Sequence, residues 1–215
     1  MHPDEWFRSK IRVGGTRQIK QDIIYQIKPD LIIANKEENT REQIEELAHH
    51  YPVWTSDIVS LEDAYQMIGE IGKLTGTAYK AIPLIDSIKR KFRDYEVYRS
   101  QSRQRTACYL IWEKPFMTVG SDTFIHTMLE RAGFINVFQN RQRYPETTIE
   151  EIQSLHPEVL LLSSEPFPFT KKHRDKLAPL LPGTKVLFAD GEMFSWYGSR
   201  LLHCCHYFKE LTDII

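Results

Sequence analysis

No run of apolar residues in this chain approaches the roughly 20 that a helix needs to span a bilayer, so no membrane-crossing helix is expected within it. Net charge is nearly lacking as well. The 28 Lys and Arg stand against 29 Asp and Glu, for a formal charge of −1. So weak an overall field gives no reason to expect nucleic acid or an acidic membrane as partner. Cysteine is scarce: Cys108, Cys204 and Cys205 cannot build a disulfide framework and read as buried thiols. Catalytic signatures are absent too, with no GxSxG, HExxH or Walker sequence. Gly14-Gly15 signals a tight turn, but neither GK[ST] nor a third spaced glycine follows to make a phosphate loop. The opening MHPDEWFRSK carries no apolar segment of the kind a secretory signal requires.

What is present is an ordinary globular composition, 41% hydrophobic and 27% charged, in 215 residues. That length suits one large domain or two small lobes. Aromatics are plentiful at 12%, and a core of this size does not need four Trp and ten Tyr. Some must line a cavity or meet solvent.

The organising stretch is 77–100, TAYKAIPLIDSIKRKFRDYEVYRS. Ala81, Ile85, Ile88, Phe92 and Tyr95 alternate spacings of four and three, which makes one apolar stripe along a helix. Pro83 either kinks a helix that begins near Thr77 or sits in the first turn of a shorter one.

On either side the chain repeats α/β grammar. After the polar–aromatic turn His2-Pro3-Asp4-Glu5-Trp6-Phe7, in which Trp6 reads as core packing, residues 11–75 predict β-α-β-α-β-α. IRV supplies the first strand, Asp30–Ala34 a strand buried on both faces, and Tyr51–Trp54 the next. Ser60-Leu61-Glu62-Asp63 opens a helix as a capping box. Beyond the long helix, Thr106–Trp112 predicts a strand, Lys114–Gly120 a loop, and Ser121-Asp122 the cap of a helix ending near Gly133. A helix that begins at Thr147-Thr148 and ends at His156-Pro157, a buried strand Glu158–Leu162, a helix 171–181, a strand Lys185–Ala189 and a closing helix 198–211 complete the reading. The closing helix contains His203-Cys204-Cys205-His206. On a helix its imidazoles and thiols point to different faces, which favours packing over a metal site.

In open parallel sheets, ligands bind beyond the carboxyl ends of the strands. The segments expected there contain Trp54, Trp112 with Phe116, Phe167 with Phe169, and Met193-Phe194 with Trp196. Aromatic walls with few ionisable groups suit a large, flat, partly apolar molecule. Glu38 and Glu165 follow the buried strand in each half, where a pair of carboxylates could dock a partner bearing arginines.

These residues resemble a known family. VGGTR, KPDLIIANKEENTREQIEEL and PVWTSDIVSLEDAYQMIGEIGKLTG are similar to the first lobe of type III, helical-backbone substrate-binding proteins of ABC importers. WEKPFMTVGSDTFIHTMLERAGFINVF, SLHPEVLLLSSEPFPF and DGEMFSWYGSRLL are similar to the second lobe. The cobalamin-binding branch of this cobalamin, haem and ferric-siderophore group is the nearest match.

The resemblance implies an α/β fold of two Rossmann-like lobes with mostly parallel sheets, joined by one long backbone helix. Residues 1–76 would form an incomplete first lobe, 77–100 the connecting helix and 101–215 the second lobe. It further implies a monomer that performs no catalysis, uses no cofactor and carries cobalamin or an iron chelate in the cleft between lobes. Trp54 would stand in the first-lobe wall, and Trp112, Phe116, Met193, Phe194 and Trp196 in the second. Arg200 would meet an acidic group of the ligand or cap the site. Glu38 and Glu165 would dock to the permease, with Glu37 and Glu42 competing for the first role. A single linking helix implies a small change in opening on binding.

Two departures bear on these expectations. The family carries a strand and helix, roughly 50 residues, ahead of the point that resembles HPDEWF, and without them a sheet edge lies open. Family members are exported to the periplasm or cell envelope, which a chain without a leader does not announce. A cytoplasmic binding protein for the same ligands is the first alternative. An α/β enzyme using His126 or His173 as a base is the second.

Overall fold

The structure is a computed structural model that describes residues 4–215, and it divides into two units, one ending at Asp57 and one running from Ile58 to Ile215. His2 and Pro3 of the expected opening turn lie outside the described residues.

The first unit holds α1 (Asp4–Ser9), β1 (Gly14–Gly15), β2 (Gln18–Ile19), α2 (Gln21–Ile27), β3 (Ile32–Asn35), α3 (Arg41–Ala48) and β4 (Val53–Ser56). Trp6, expected in the core, is 61% exposed on α1, a helix with no buried residue. The expected strand at IRV is also corrected. Ile11 and Val13 are exposed, and β1 pairs only with β2 in an antiparallel hairpin. Gly14 permits that hairpin: its φ is +105°, and an added Cβ would meet the Gln18 carbonyl and the Lys20 nitrogen. Helix α2 ends with Lys28 in the left-handed region returning its N–H to the Ile24 carbonyl, just before Pro29. β3 and β4 pair in parallel, Ile32 opposite Val53 through Asn35 opposite Ser56.

The second unit begins with α4 (Leu61–Leu74) and α5 (Ala78–Arg99). Ser60 caps α4 by accepting the Asp63 N–H, and the Asp63 carboxylate accepts the Ser60 N–H at 2.8 Å, the expected capping box. Helix α5 buries Ala81, Ile88, Phe92 and Tyr95 of the stripe read from spacing, leaves its fifth member Ile85 half-buried, and packs against α4. Gly72 sets how close the two helices come, since a Cβ there would lie 2.6 Å from the Ala81 Cβ. Pro83 sits inside the helix rather than in its first turn, so its ring nitrogen can offer no hydrogen to the Tyr79 carbonyl.

There follow β5 (Arg105–Leu110), β6 (Trp112–Glu113), β7 (Phe116–Met117), α6 (Phe124–Ala132), β8 (Phe134–Asn136), β9 (Glu146–Thr147), α7 (Ile149–Leu155) and β10 (Val159–Ser163). The chain ends with α8 (Lys171–Leu177), β11 (Lys185–Ala189), α9 (Glu192–Ser195) and α10 (Leu201–Asp213). The main sheet is wholly parallel, in the order β11-β10-β5-β8. Every residue of central β10 is buried. One face of the sheet packs Cys108, Leu110, Leu160 and Leu162 with Phe138, Ile152, Phe169 and Leu177. Burying each such side chain contributes about 1.5–3 kcal/mol.

Four details differ from the sequence reading. Lys114–Gly120 is not all loop, because β6, β7 and β9 form a small antiparallel sheet beside the main one. The cap of α6 is Thr123, whose hydroxyl accepts the His126 N–H, while Asp122 turns away to accept the Arg143 N–H. β8 follows Gly133 without a turn signal of its own. The closing helix starts at Leu201, with the short α9 ahead of it.

Candidate functional site

Because β5, β10 and β11 run in parallel, their carboxyl ends share one edge of the second unit. Trp112, the segment 164–169 and the segment 190–200 leave from that edge. Trp112 is 38% exposed, with its indole N–H on the Lys114 carbonyl at 3.2 Å. Its ring meets Phe167 edge-on at 5.5 Å, and Phe167 meets Phe169 at 4.8 Å and His173 at 5.3 Å. Phe116 is half-buried against the core cluster, together with Phe167. The spacing assigns Phe167 no wall position of its own. Its signal is the Phe-rich segment after a buried strand, in which Phe169 is buried in the core cluster and Phe167 is half-buried against it.

Phe194, expected in the wall, is a core residue. It is fully buried, with its ring 5.1 Å from Tyr109 and 5.0 Å from Phe208. It projects from the one-turn helix α9 onto Tyr109 of β5 and Phe208 of α10, while its neighbours Met193 and Ser195 are only half-buried. Met193 is half-buried, and its carbonyl accepts the Cys204 thiol at 3.1 Å.

Trp196 is half-buried at the end of α9, and its indole N–H donates to Glu165 Oε1 at 2.8 Å. The Ser195 hydroxyl donates to the same oxygen. Glu165 is therefore not the exposed loop carboxylate that its place after the strand suggests; it is half-buried and engaged. Arg200 is likewise engaged, by Glu192 through both Nε (2.6 Å) and a terminal nitrogen, while its guanidinium carbon stands 6.0 Å from the Trp196 ring centroid. Any acidic group approaching Arg200 competes with that carboxylate.

Polar groups near this edge are mostly structural. Glu113, whose side chain is 13% exposed, has Lys114, His173 and Lys176 within 3.8–4.0 Å. His173 Nδ1 accepts the Thr170 backbone N–H at 2.9 Å, which caps α8 and puts the ring proton on Nε2, toward Glu113. His126 is buried, with Nδ1 3.3 Å from the Asn136 amide nitrogen and Nε2 3.6 Å from Glu130. His173 Nδ1 also lies 2.9 Å from the Thr170 hydroxyl, its partner in the α8 cap, while His126 contacts Asn136 and Glu130. On α10, Cys204 and Cys205 are buried while His203 and His206 are exposed, so the four residues divide between faces. Burial pushes the Cys108, Cys204 and Cys205 thiols up to about 12, which makes them inert at neutral pH. Burial raises the Tyr109 phenol too; its hydroxyl lies 3.0 Å from the Ser163 hydroxyl. Among the described residues, no group of three or more His, Cys, Asp and Glu could hold a metal ion.

In the first unit the carboxyl ends of β3 and β4 are built around Asn35. Its side-chain oxygen accepts the Glu37 and Glu38 N–H groups, its amide donates to the Ser56 hydroxyl at 2.9 Å, and its own N–H goes to Asn39 at 2.8 Å. This Asx turn presents Glu38, which is exposed and accepts the Thr16 hydroxyl at 3.3 Å. Glu42 is exposed in the first turn of α3, and Glu37 is half-buried. Trp54 is half-buried inside β4 rather than beyond its end, opposite Ile33, which is 45% exposed.

Known proteins bear on this arrangement. The chain is 25% identical over 154 residues to the vitamin B12-binding protein of Vibrio parahaemolyticus, covering 71% of this chain and 56% of that protein. It is 25% identical over 160 residues to the ABC transporter substrate-binding lipoprotein YvrC of Bacillus subtilis, covering 71% and 51%. The chain thus spans about half the length of the curated relatives it matches. Among solved structures, the periplasmic vitamin B12-binding protein BtuF of Vibrio cholerae superposes with a TM-score of 0.78 at 18% identity, over 99% of this chain and 86% of that one. The periplasmic haem-binding protein BhuT, solved with two haems, gives 0.83 at 19% identity over 99% and 85%. Both likenesses show the two-lobed type III binding fold. The family model for periplasmic binding proteins matches residues 2–179, most of the sequence, and the chain belongs to that family.

Proposed function

We propose that this chain is the substrate-binding component of an ABC uptake system for a metal chelate, cobalamin or an iron chelate such as haem or a hydroxamate siderophore. The observation that carries the reading is the aromatic edge of the second unit. Trp112, Phe167 and Trp196 gather where parallel strands end, and the titratable groups around them are tied into structural pairs. Such a surface offers a flat macrocycle or an aromatic chelate dispersion and apolar contact while asking for few hydrogen bonds. The relatives bind vitamin B12 and haem, which are ligands of that kind. In this reading Trp54 is a further ligand contact, and the protein works outside the cytoplasmic membrane as a monomer. The exposed Glu38 meets arginines of the permease; Glu165 meets them only if its present hydrogen bonds open.

Titration of the purified protein with cobalamin, haemin and a ferric hydroxamate, followed by tryptophan fluorescence, tests the proposal. Saturable quenching by one of the three is expected, abolished in Trp112→Ala and Trp196→Ala. Absence of quenching by all three overturns the reading.

A further inference from the structure

We propose that Glu165 is a positioning residue that sets the orientation of the Trp196 indole at the ligand-facing edge, an inference that rests on the binding reading above. An indole on a one-turn helix has two free side-chain torsions and one N–H donor. Without an acceptor in a fixed place it would sample several rotamers and present no constant surface. Glu165 is that acceptor, and the surroundings hold it rather than leaving it to solvent.

Ser163, the buried last residue of β10, donates its hydroxyl to the Glu165 carbonyl at 2.6 Å and accepts the Glu165 N–H at 3.3 Å. Ser163 is itself fixed by the Tyr109 hydroxyl at 3.0 Å. At the other end of the side chain, the Ser195 hydroxyl and the Trp196 N–H converge on one carboxylate oxygen. Gly191 makes room for the stem. A Cβ there would run into Glu165 Cγ and stand 2.7 Å from the Ser163 hydroxyl oxygen, while its own N–H is held by Ser164 at 2.9 Å. The Gly191 backbone thus packs against the side chain that orients Trp196. A chain of contacts runs from buried β10 through Glu165 to the indole, and each link is short enough to transmit position. A carboxylate is suited to the task because it only accepts, so both donors can share it with no competing N–H on the side chain.

Tryptophan emission is read first without any ligand, subtracting Trp196→Phe from the wild-type protein to isolate the Trp196 component. In Glu165→Ala that component is expected to shift to the red and broaden. Glu165→Gln, which keeps an acceptor oxygen, is expected to retain most of the wild-type spectrum. Gly191→Ala, which displaces the carboxylate sterically, should reproduce Glu165→Ala. With cobalamin or haemin as probe, Glu165→Ala and Gly191→Ala should weaken binding about tenfold, the loss of a hydrogen bond to a charged group, and Glu165→Gln less than threefold. Circular dichroism melts identify any variant that fails to fold, and Glu165→Gln with Ser195→Ala then carries the test, the pair expected to shift emission part of the way. An unchanged Trp196 component in a folded Glu165→Ala or Gly191→Ala protein overturns the proposal, whatever the probes do. Wild-type affinity in Trp196→Phe removes Trp196 from the wall instead, which breaks the binding reading and not the geometry of Glu165.

Discussion

The two units solve the same problem, holding the loops at the carboxyl edge of a parallel sheet, by different means. In the second unit the sheet has four strands, its central strand is buried throughout, and the edge is laid on an apolar core. In the first the parallel sheet has two strands, Ile33 is 45% exposed, and the edge is organised by the side chain of one asparagine. The lesson is that a loop can be positioned either by burying what precedes it or by pairing its backbone groups one at a time. Burial gives more stability for each residue ordered, because a fully covered side chain contributes about 1.5–3 kcal/mol against about 1 kcal/mol for a typical hydrogen bond.

The largest expected effect is alkaline unfolding confined to the second unit. All three thiols lie there, each pushed from the ordinary value near 9 to about 12 by burial, along with Tyr65 and Tyr95, whose phenols rise from 10 to about 12. Folded values above the unfolded ones mean that the unfolded chain loses its protons first. The stability these groups contribute is therefore complete below about pH 9 and drains as the pH climbs toward 12. Hydrogen exchange resolved by segment, recorded from pH 8 to 11, should show β10 and β5 losing protection across that window. Flat protection there contradicts the burial.

Next in size is a paired substitution across the two sheets. Leu160→Ala, in the core of β10, is expected to cost about 2–5 kcal/mol in urea unfolding, and Ile33→Ala, in β3, less than about 1. Comparable costs would erase the contrast between the units. Asn35→Ala sharpens it from the other side. Loss of the Asx turn should cost about 1–2 kcal/mol and release the amides of Glu37 and Glu38 to fast exchange, with the second unit unaffected. The smallest effect is Ser60→Ala, about 1 kcal/mol from one lost helix cap, seen as a lower midpoint with an unchanged slope.

Much of this is legible in the sequence. Helix α5 announces its buried face through spacings of three and four, because one turn of helix repeats a face every 3.6 residues whatever lies beside it. The Ser60 cap and the helix start at Thr147-Thr148 depend on a few adjacent residues and come out as read, with Ser60 and Thr148 as the N-caps. The misreadings share a cause. IRV looks like a strand because it is short and apolar, but a strand needs a neighbour to pair with, and Gly14-Gly15 closes a local hairpin instead. Thr123 takes the cap from Asp122 because the loop near Arg143 claims that carboxylate from a distance of 21 residues in sequence. Phe194 and Trp196 are both aromatic in one short segment, and no pattern in the sequence says which turns inward.

The sequence by itself determined most of the order of helices and strands, the striped helix, the parallel pairing of the main sheet in the second unit and the abundance of aromatic residues after its strands. Those follow from periodicity and capping, which act over a single turn or a single strand. Only the tertiary structure decided that Trp112 and Phe167 form one surface, that Phe194 belongs to the core, that Arg200 is paired with Glu192 and that Glu165 holds Trp196. The Glu165–Trp196 and Trp112–Phe167 contacts join residues 31 and 55 positions apart. They exist because parallel strands deliver their carboxyl ends to the same edge, and at that distance along the chain pairing is set by packing rather than by pattern.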